Sequence, residues 1–229
     1  MIGVKRAEIN GILVEGLNFA GKSTVCRALV ARYEQRGVRV DGRHCYITDS
    51  PATAELQRLA KQSVVYSPGR PFPDADLLRP FNVYKSSQML VDSAYAIGCP
   101  YAIGGGLMLV QDRHWLTQFG SNEFFTPGEG YLGEDWRTFS APRFTVQMYL
   151  TCSPQERVRR SGDRRGDEHG LNSYYREHLD RLALLDEACL SLIKDDPSWI
   201  VVSTDGTTAE ETADRLAAAY DALAPTATR

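Results

Sequence analysis

The chain has 229 residues, 43% of them hydrophobic, enough for one large α/β domain spanning residues 1–229. Its 26 basic and 29 acidic side chains leave a formal net charge of −3, and the absence of an overall basic surface argues against nucleic acid as the main partner. No apolar run approaches the roughly 18 residues needed to span a bilayer, and no charged-then-apolar leader opens the chain, so a cytoplasmic protein without membrane contact is expected. Cys26, Cys45, Cys99, Cys152 and Cys189 are scattered, odd in number and without a C-x-x-C pair, which reads as reduced, mostly buried thiols.

Ile9 to Glu15 reads as a buried parallel strand, and Val25, Leu29 and Tyr33 recur every four residues on one face of a following helix. Between them stands Gly16-Leu17-Asn18-Phe19-Ala20-Gly21-Lys22-Ser23-Thr24, a G-x-x-x-x-G-K-S loop in the strand-to-helix context that gives the pattern its meaning. Such a loop aims consecutive backbone N–H groups at one point, at the positive end of a helix, and so cradles the phosphates of a nucleotide. Lys22 is placed to reach the β and γ phosphates and Ser23 to hold Mg²⁺.

Further along, strand-like and helix-like stretches alternate, the pattern of a parallel sheet with helices on both faces. Strands are predicted at His44–Thr48, Gly106–Gln111, Phe144–Leu150 and Trp199–Val202. Helices are predicted at about Pro51–Gln62, Pro80–Ala96, Ser153–Arg160 and Asn172–Lys194. In the second of these, Phe81 and Lys85 share a face, and with Gln88 they form a candidate surface for a planar ring. Tyr66–Asp74, rich in proline, and the polar and aromatic run Ser121–Arg143 read as loops. The third strand ends in Gln111-Asp112-Arg113-His114-Trp115, at the sheet edge where open α/β sheets bind ligands. There Asp112 can organise a magnesium shell and Arg113 can grip an anion, with Trp115 a further candidate contact to the acceptor.

Arg157, Arg159, Arg160, Arg164 and Arg165 crowd a glycine-bounded stretch and read as a lid over about 157–170, open until an anion arrives. The last helix follows Asp205-Gly206. It opens on a capping box, Thr207 with Glu210 or Thr208 with Glu211, and carries a stripe of Ala209, Ala213, Leu216, Tyr220 and Leu223. Residues 224–229 read as a frayed tail. No internal repeat occurs, and His44, His114, His169 and His178 show no metal-ligand spacing.

With phosphate loop, strand-end Asp-Arg and arginine cluster in that order, the chain from Glu15 to the closing helix resembles the thymidylate kinase family of P-loop nucleoside monophosphate kinases. The family opening E-G-L-D-x-A-G-K-S-T is followed closely by Glu15 to Thr24. The resemblance implies a P-loop NTPase fold with an arginine-rich lid, ATP and Mg²⁺ as cofactors, and pairing into homodimers. It implies that Arg113 contacts the acceptor phosphate, that Phe81 stacks on the base beside Lys85, that the Arg157–Arg165 cluster supplies the lid arginines, and that Ser203–Gly206, with Asp205, borders the adenine.

Three departures bear on the acceptor half, one being Lys85 where the family has an arginine, which loses planar, bidentate recognition. Asn18 stands where the family has Asp, and the R-E-P turn is replaced by Thr48-Asp49-Ser50-Pro51. Two unit charges about 4 Å apart interact by about 4 kcal/mol at an effective dielectric of about 20, so Asp49 beside an acceptor phosphate would repel it. The expected activity is γ-phosphoryl transfer from ATP to a small-molecule acceptor. Lys22, Asp112, Arg113, Arg160 and Arg164 would carry it, and Gly16, Asn18 to Thr24, Arg157 and Asp205 would hold the donor. The acceptor is a thymidylate-like monophosphate, with Arg43, Arg58 or Arg70 replacing the lost arginine, or a hydroxyl with Asp49 as base. A nucleotide-binding protein without transferase activity is the third reading.

Overall fold

A computed structural model of the protein describes residues 6–62, 75–125, 134–163 and 178–223. Its strands β1 (Glu8–Gly16), β2 (Val40–His44), β3 (Met108–Asp112), β4 (Arg143–Thr151) and β5 (Trp199–Ser203) form one sheet in the order β2-β3-β1-β4-β5. Every neighbouring pair is parallel. Parallel neighbours need long crossovers, which is why helical segments separate the strands in the sequence. Among the described residues the helices are α1 (Lys22–Gln35), α2 (Pro51–Gln62), α3 (Ala75–Ala96), α4 (Trp115–Phe125), α5 (Glu134–Phe139), α6 (Pro154–Asp163), α7 (Leu179–Ile193) and α8 (Ala209–Leu223).

The central strand shows how period-two alternation builds the layers. Ile9 and Leu13 enter a core with Leu116 and Phe119 of α4 and Leu182 and Leu185 of α7. Ile12 and Val14 point the other way, into a core with Val25 and Leu29 of α1 and Leu216 and Tyr220 of α8. The last helix closes against the first: the Tyr33 and Tyr220 rings meet edge to face at 5.7 Å, and the Tyr220 hydroxyl donates to Asn10 Oδ1 at 2.6 Å. Gly11 lets β1 approach its neighbour, since a Cβ there would stand 2.0 Å from the carbonyl oxygen of Leu109.

Several predicted elements move. The second strand occupies Val40–His44, not His44–Thr48. As an edge strand paired only to β3 it is largely exposed and needs no apolar run, so the apolar Cys45-Tyr46-Ile47 that follows gave the stronger signal. Cys45, at φ 66°, turns the chain out of the ladder, and Asp92 of α3 then accepts from the amides of Ile47 and Thr48 at 2.8 and 2.9 Å. The third strand starts at Met108, because Gly106 at φ 80° is still in the turn. Helix α3 begins five residues ahead of Pro80. The stretch read as one loop, 121–143, holds the end of α4 and all of α5. Helix α6 runs through Gly162 to Asp163. Of the two capping boxes Thr208 with Glu211 forms, each amide or side chain answering the other at 2.8 and 3.1 Å, and Leu223 is exposed rather than part of the stripe. The predicted loop Tyr66–Asp74, the start of the helix expected from Asn172, and residues 224–229 lie outside the described residues. No helix among the described residues is long and apolar enough to cross a membrane.

Candidate active site

The G-x-x-x-x-G-K-S segment leaves the carboxyl end of the central strand and enters α1, as its pattern requires. Gly16, at φ 135°, passes so close to β4 that a Cβ would meet the Leu150 carbonyl oxygen at 2.4 Å, and Gly21 starts the helix at φ 88°. Phe19 also sits at positive φ, 68°. No side chain caps α1, so its first amides remain available to an anion.

Lys22 is buried, with Nζ donating to the carbonyl of Leu17 at 2.6 Å. Burial, reinforced by the nearby Arg113 charge, lowers its pKa to about 7. Across the loop, Asp112 Oδ2 accepts from Ser23 Oγ at 2.6 Å and lies 3.3 Å from His44 Nδ1. Burial of Asp112 would raise its pKa, but the bond to His44, the charge of Lys22 and the Ser23 hydroxyl bring it down to about 2. The same His44–Asp112 bond, with Cys45 second, raises the imidazole to about 9. Asp112 Oδ1 is buried and has no partner among the described residues. An orphaned carboxylate oxygen beside a serine hydroxyl is an all-oxygen donor pair that fits Mg²⁺. Among the described residues no cluster of three or more His, Cys, Asp or Glu forms a metal cage, so the remaining ligands would come from phosphate and water.

These groups surround a cavity of about 480 Å³ lined by Asn18, Phe19, Gly21 to Thr24, His44, Asp112, Arg113, Arg160 and Asp163. Arg113, at φ 65°, reaches across to the Asn18 side-chain oxygen. Arg160 is braced on the cavity wall: Nε donates to Glu156 at 2.6 Å, and its terminal nitrogens bond the Phe19 carbonyl at 3.2 Å and the Thr204 hydroxyl and carbonyl at 2.9 Å each. Ala20 lies in the core behind the loop, and Thr24 opens onto the cavity.

Other expected site residues lie elsewhere. Arg157 turns inward, bonding Asp186 of α7 at 2.5 Å and the Asn18 carbonyl at 3.0 Å, so it supports the loop from behind instead of facing a nucleotide. Arg159 pairs with Glu156 and Asp163 on the surface. The first half of the arginine cluster is therefore a neutralised helix, not an open lid; Arg164 and Arg165 fall outside the described residues. Asp205 accepts from the Ser153 amide at 2.9 and 3.0 Å and steadies the start of α6. Trp115 is a core residue, packed edge to face between Trp136 and Trp199 and absent from the phosphate-loop cavity.

A second cavity, about 470 Å³, adjoins the first through His44 and is lined by Arg43, Tyr46, Thr48, Asp49, Ser50 and Thr53 among others. Asp49 does not stand alone there: Arg43 donates to it at 2.7 Å and to the Tyr101 hydroxyl at 2.8 Å. That bond holds the Asp49 carboxyl below the ordinary range. On α3, Lys85 binds the Tyr46 hydroxyl and lies 3.2 Å from Gln88 Oε1, while fully buried Gln88 donates to the Thr53 carbonyl at 2.9 Å. Gln88 is thus a tie between α3 and α2 rather than a free recognition group. Phe81 lies four residues before Lys85 on α3, half-buried.

Two groups went unread in the sequence. His44 ends β2, at the same carboxyl edge that singled out Asp112, and placing the strand four residues late concealed it. His114 is buried against Asp92 at 3.0 Å, and its amide and that of Leu116 donate to Glu15 at 2.9 and 3.0 Å, anchoring α4 to the end of β1.

No family model matches the chain, and no curated protein sequence matches it. Among solved structures it is similar to thymidylate kinase from Candida albicans, with a TM-score of 0.62 and 15% sequence identity over 95% of this chain and 93% of that one. At that identity the likeness carries the fold: an α/β P-loop NTPase architecture with a five-stranded parallel sheet.

Proposed function

We propose that the protein is an ATP- and Mg²⁺-dependent kinase that transfers a γ-phosphoryl group to a nucleoside monophosphate or a closely related modified nucleotide. The observation that carries this is the Lys22, Ser23 and Asp112 constellation around the first turn of α1, which no side chain caps. Loop amides and Lys22 bind the donor phosphates, and Ser23 with Asp112 holds the metal, which when bound screens charge between the phosphate oxygens. Arg160, already aimed by Glu156 and Thr204, lies along the cavity wall to meet charge that develops during transfer. Arg113, on the wall of the phosphate-loop cavity, orients the incoming phosphate, a role for which it must release Asn18. No protein nucleophile is required.

The Arg43–Asp49 pair favours a phosphate acceptor over a hydroxyl. A carboxylate held in its charged form by a guanidinium is a poor base for a hydroxyl, whereas the same pair removes the repulsion that a lone Asp49 would exert on a phosphate. Arg43 is then the base that takes over from the arginine missing in the turn. Residues on α3 and α2 would line the acceptor's ring side, with Phe81 and Lys85 nearest to the expected base. A homodimer through α3 completes the reading: exposed Val83, Leu90 and Ile97 recur every seven residues along it and just past its end.

The test is label transfer from γ-labelled ATP to a panel of nucleoside monophosphates and the corresponding nucleosides. Monophosphates should be labelled, and Lys22→Ala should lower kcat/KM at least about a hundredfold. Labelling of nucleosides alone would refute the monophosphate reading, and ATP binding without transfer to any acceptor would refute the enzyme.

A further inference from the structure

We propose that Asp92 of α3 is a positioning residue, a single carboxylate that fixes the wall of the second cavity against the strand end that bears Arg113. For the reaction it serves, this inference rests on the phosphoryl-transfer reading; the geometry stands on the backbone alone.

Among the described residues three that are not glycine adopt positive φ, and all three stand at the site: Phe19 in the phosphate loop, Cys45 at 66° and Arg113 at 65°. Such a conformation is unfavourable for a residue with a side chain and persists only where surrounding contacts hold it. Cys45 and Arg113 directly follow the adjacent strands β2 and β3, so each turns the chain out of the sheet at the same carboxyl edge. On the upstream side the backbone holds them. The Cys45 amide donates to the Asp112 carbonyl and the Arg113 amide to the Val14 carbonyl, each at 3.0 Å.

On the downstream side one side chain holds both. Asp92 is fully buried, and each of its oxygens is shared between two partners. Oδ1 accepts from the Thr48 amide at 2.9 Å and the Thr48 hydroxyl at 2.7 Å; Oδ2 accepts from the Ile47 amide at 2.8 Å and lies 3.0 Å from His114 Nε2. Two amides would suffice to cap the turn after β2. The contact with His114, the residue after Arg113, is what makes the carboxylate span two elements. Glu15 takes the His114 amide at 2.9 Å, so this end of the link is also fixed to β1. Thr48 and Asp49 line the second cavity, and Arg113 lines the phosphate-loop cavity. Asp92 therefore sets the separation between the Arg43–Asp49 pair and Arg113, and a misplacement of about 1 Å between groups that align reacting atoms can cost about a hundredfold in rate.

Asp92→Asn keeps the shape of the side chain, but whichever way its amide turns, the NH₂ group meets a backbone N–H, of Ile47 or of Thr48. His114→Asn breaks the other half of the link without touching the turn. For both variants the KM of ATP, the KM of the monophosphate and the hydrogen exchange of the Ile47 and Thr48 amides are measured, with urea midpoints reporting on folding. Each variant should raise the acceptor KM at least about tenfold, leave the ATP KM within about twofold, and quicken exchange at 47 and 48 at least about tenfold. The double variant should be no worse than the worse single one, because both break one link. A fall in stability with both KM values unchanged overturns the proposal. So does exchange at 47 and 48 that His114→Asn leaves unaltered. If the wild type labels no monophosphate, the phosphoryl-transfer reading falls and exchange alone decides the link; if Asp92→Asn does not fold, His114→Asn carries both measurements.

Discussion

Lys22 is a buried amine without a carboxylate bonded to it, and its proton is correspondingly loose. With a pKa near 7 in the free protein, a good part of the population is neutral at physiological pH. A polyphosphate placed on the loop restores the charge, so nucleotide binding should take up close to one proton at about pH 8 and almost none at about pH 6. Calorimetry in buffers of different ionisation enthalpy measures this uptake, and Lys22→Ala should abolish it. The His44–Asp112 bond gives a second pH signature. The His44 contribution is complete below its ordinary 6.5 and lost as pH rises through about 9. Asp112 contributes above its ordinary 3.8 and loses that contribution as pH falls through about 2. Lys22 acts with opposite sign on the alkaline side, since its folded pKa is depressed. The difference in urea midpoint between wild type and His44→Asn should therefore be largest near pH 6 and shrink toward pH 9. A difference that stays constant over that range would show that the bond does not titrate.

The elements around the site divide into those that present groups and those that hold them. Helix α6 does both: Arg160 faces the cavity, and Arg157, one turn earlier, ties the loop to α7. The Arg157 side chain is 3% exposed and Asp186 14%, so Arg157→Ala strands a buried charge. A loss of about 3–5 kcal/mol is expected from urea unfolding, together with weaker nucleotide binding. Arg159→Ala, on the outer face, should change neither by more than about 0.5 kcal/mol. This division explains what could be read in advance. Gly16, Lys22, Ser23 and Asp112 were legible because loop chemistry and strand-end position constrain residue type locally. Arg157 was not, because the carboxylate that captures it lies 29 residues away on α7, a pairing that spacing along the chain does not encode. Trp115 failed for a related reason: standing next to a site in sequence says nothing of which way a side chain turns. The β1, β4 and β5 boundaries came within a residue or two, since buried strands show themselves as apolar runs, whereas the exposed edge strand β2 did not.

At the scale of the whole molecule, two surfaces follow from where the helices sit. On α3 the exposed seven-residue recurrence of Val83, Leu90 and Ile97 is the face proposed for a second copy. Leu90→Glu should yield a monomer by sedimentation equilibrium while leaving the far-ultraviolet spectrum unchanged, and a wild-type protein that is itself monomeric at high concentration would remove the dimer from the proposal. The other surface is internal. Strands β1 and β4 lean on α8, whose Leu216, Ala217 and Tyr220 complete the core above Val146, Met148 and Val202. Because that helix follows every strand it covers, a growing chain carries this part of the apolar sheet face open until α8 has been made, and an open face of that kind is what a chaperone can hold.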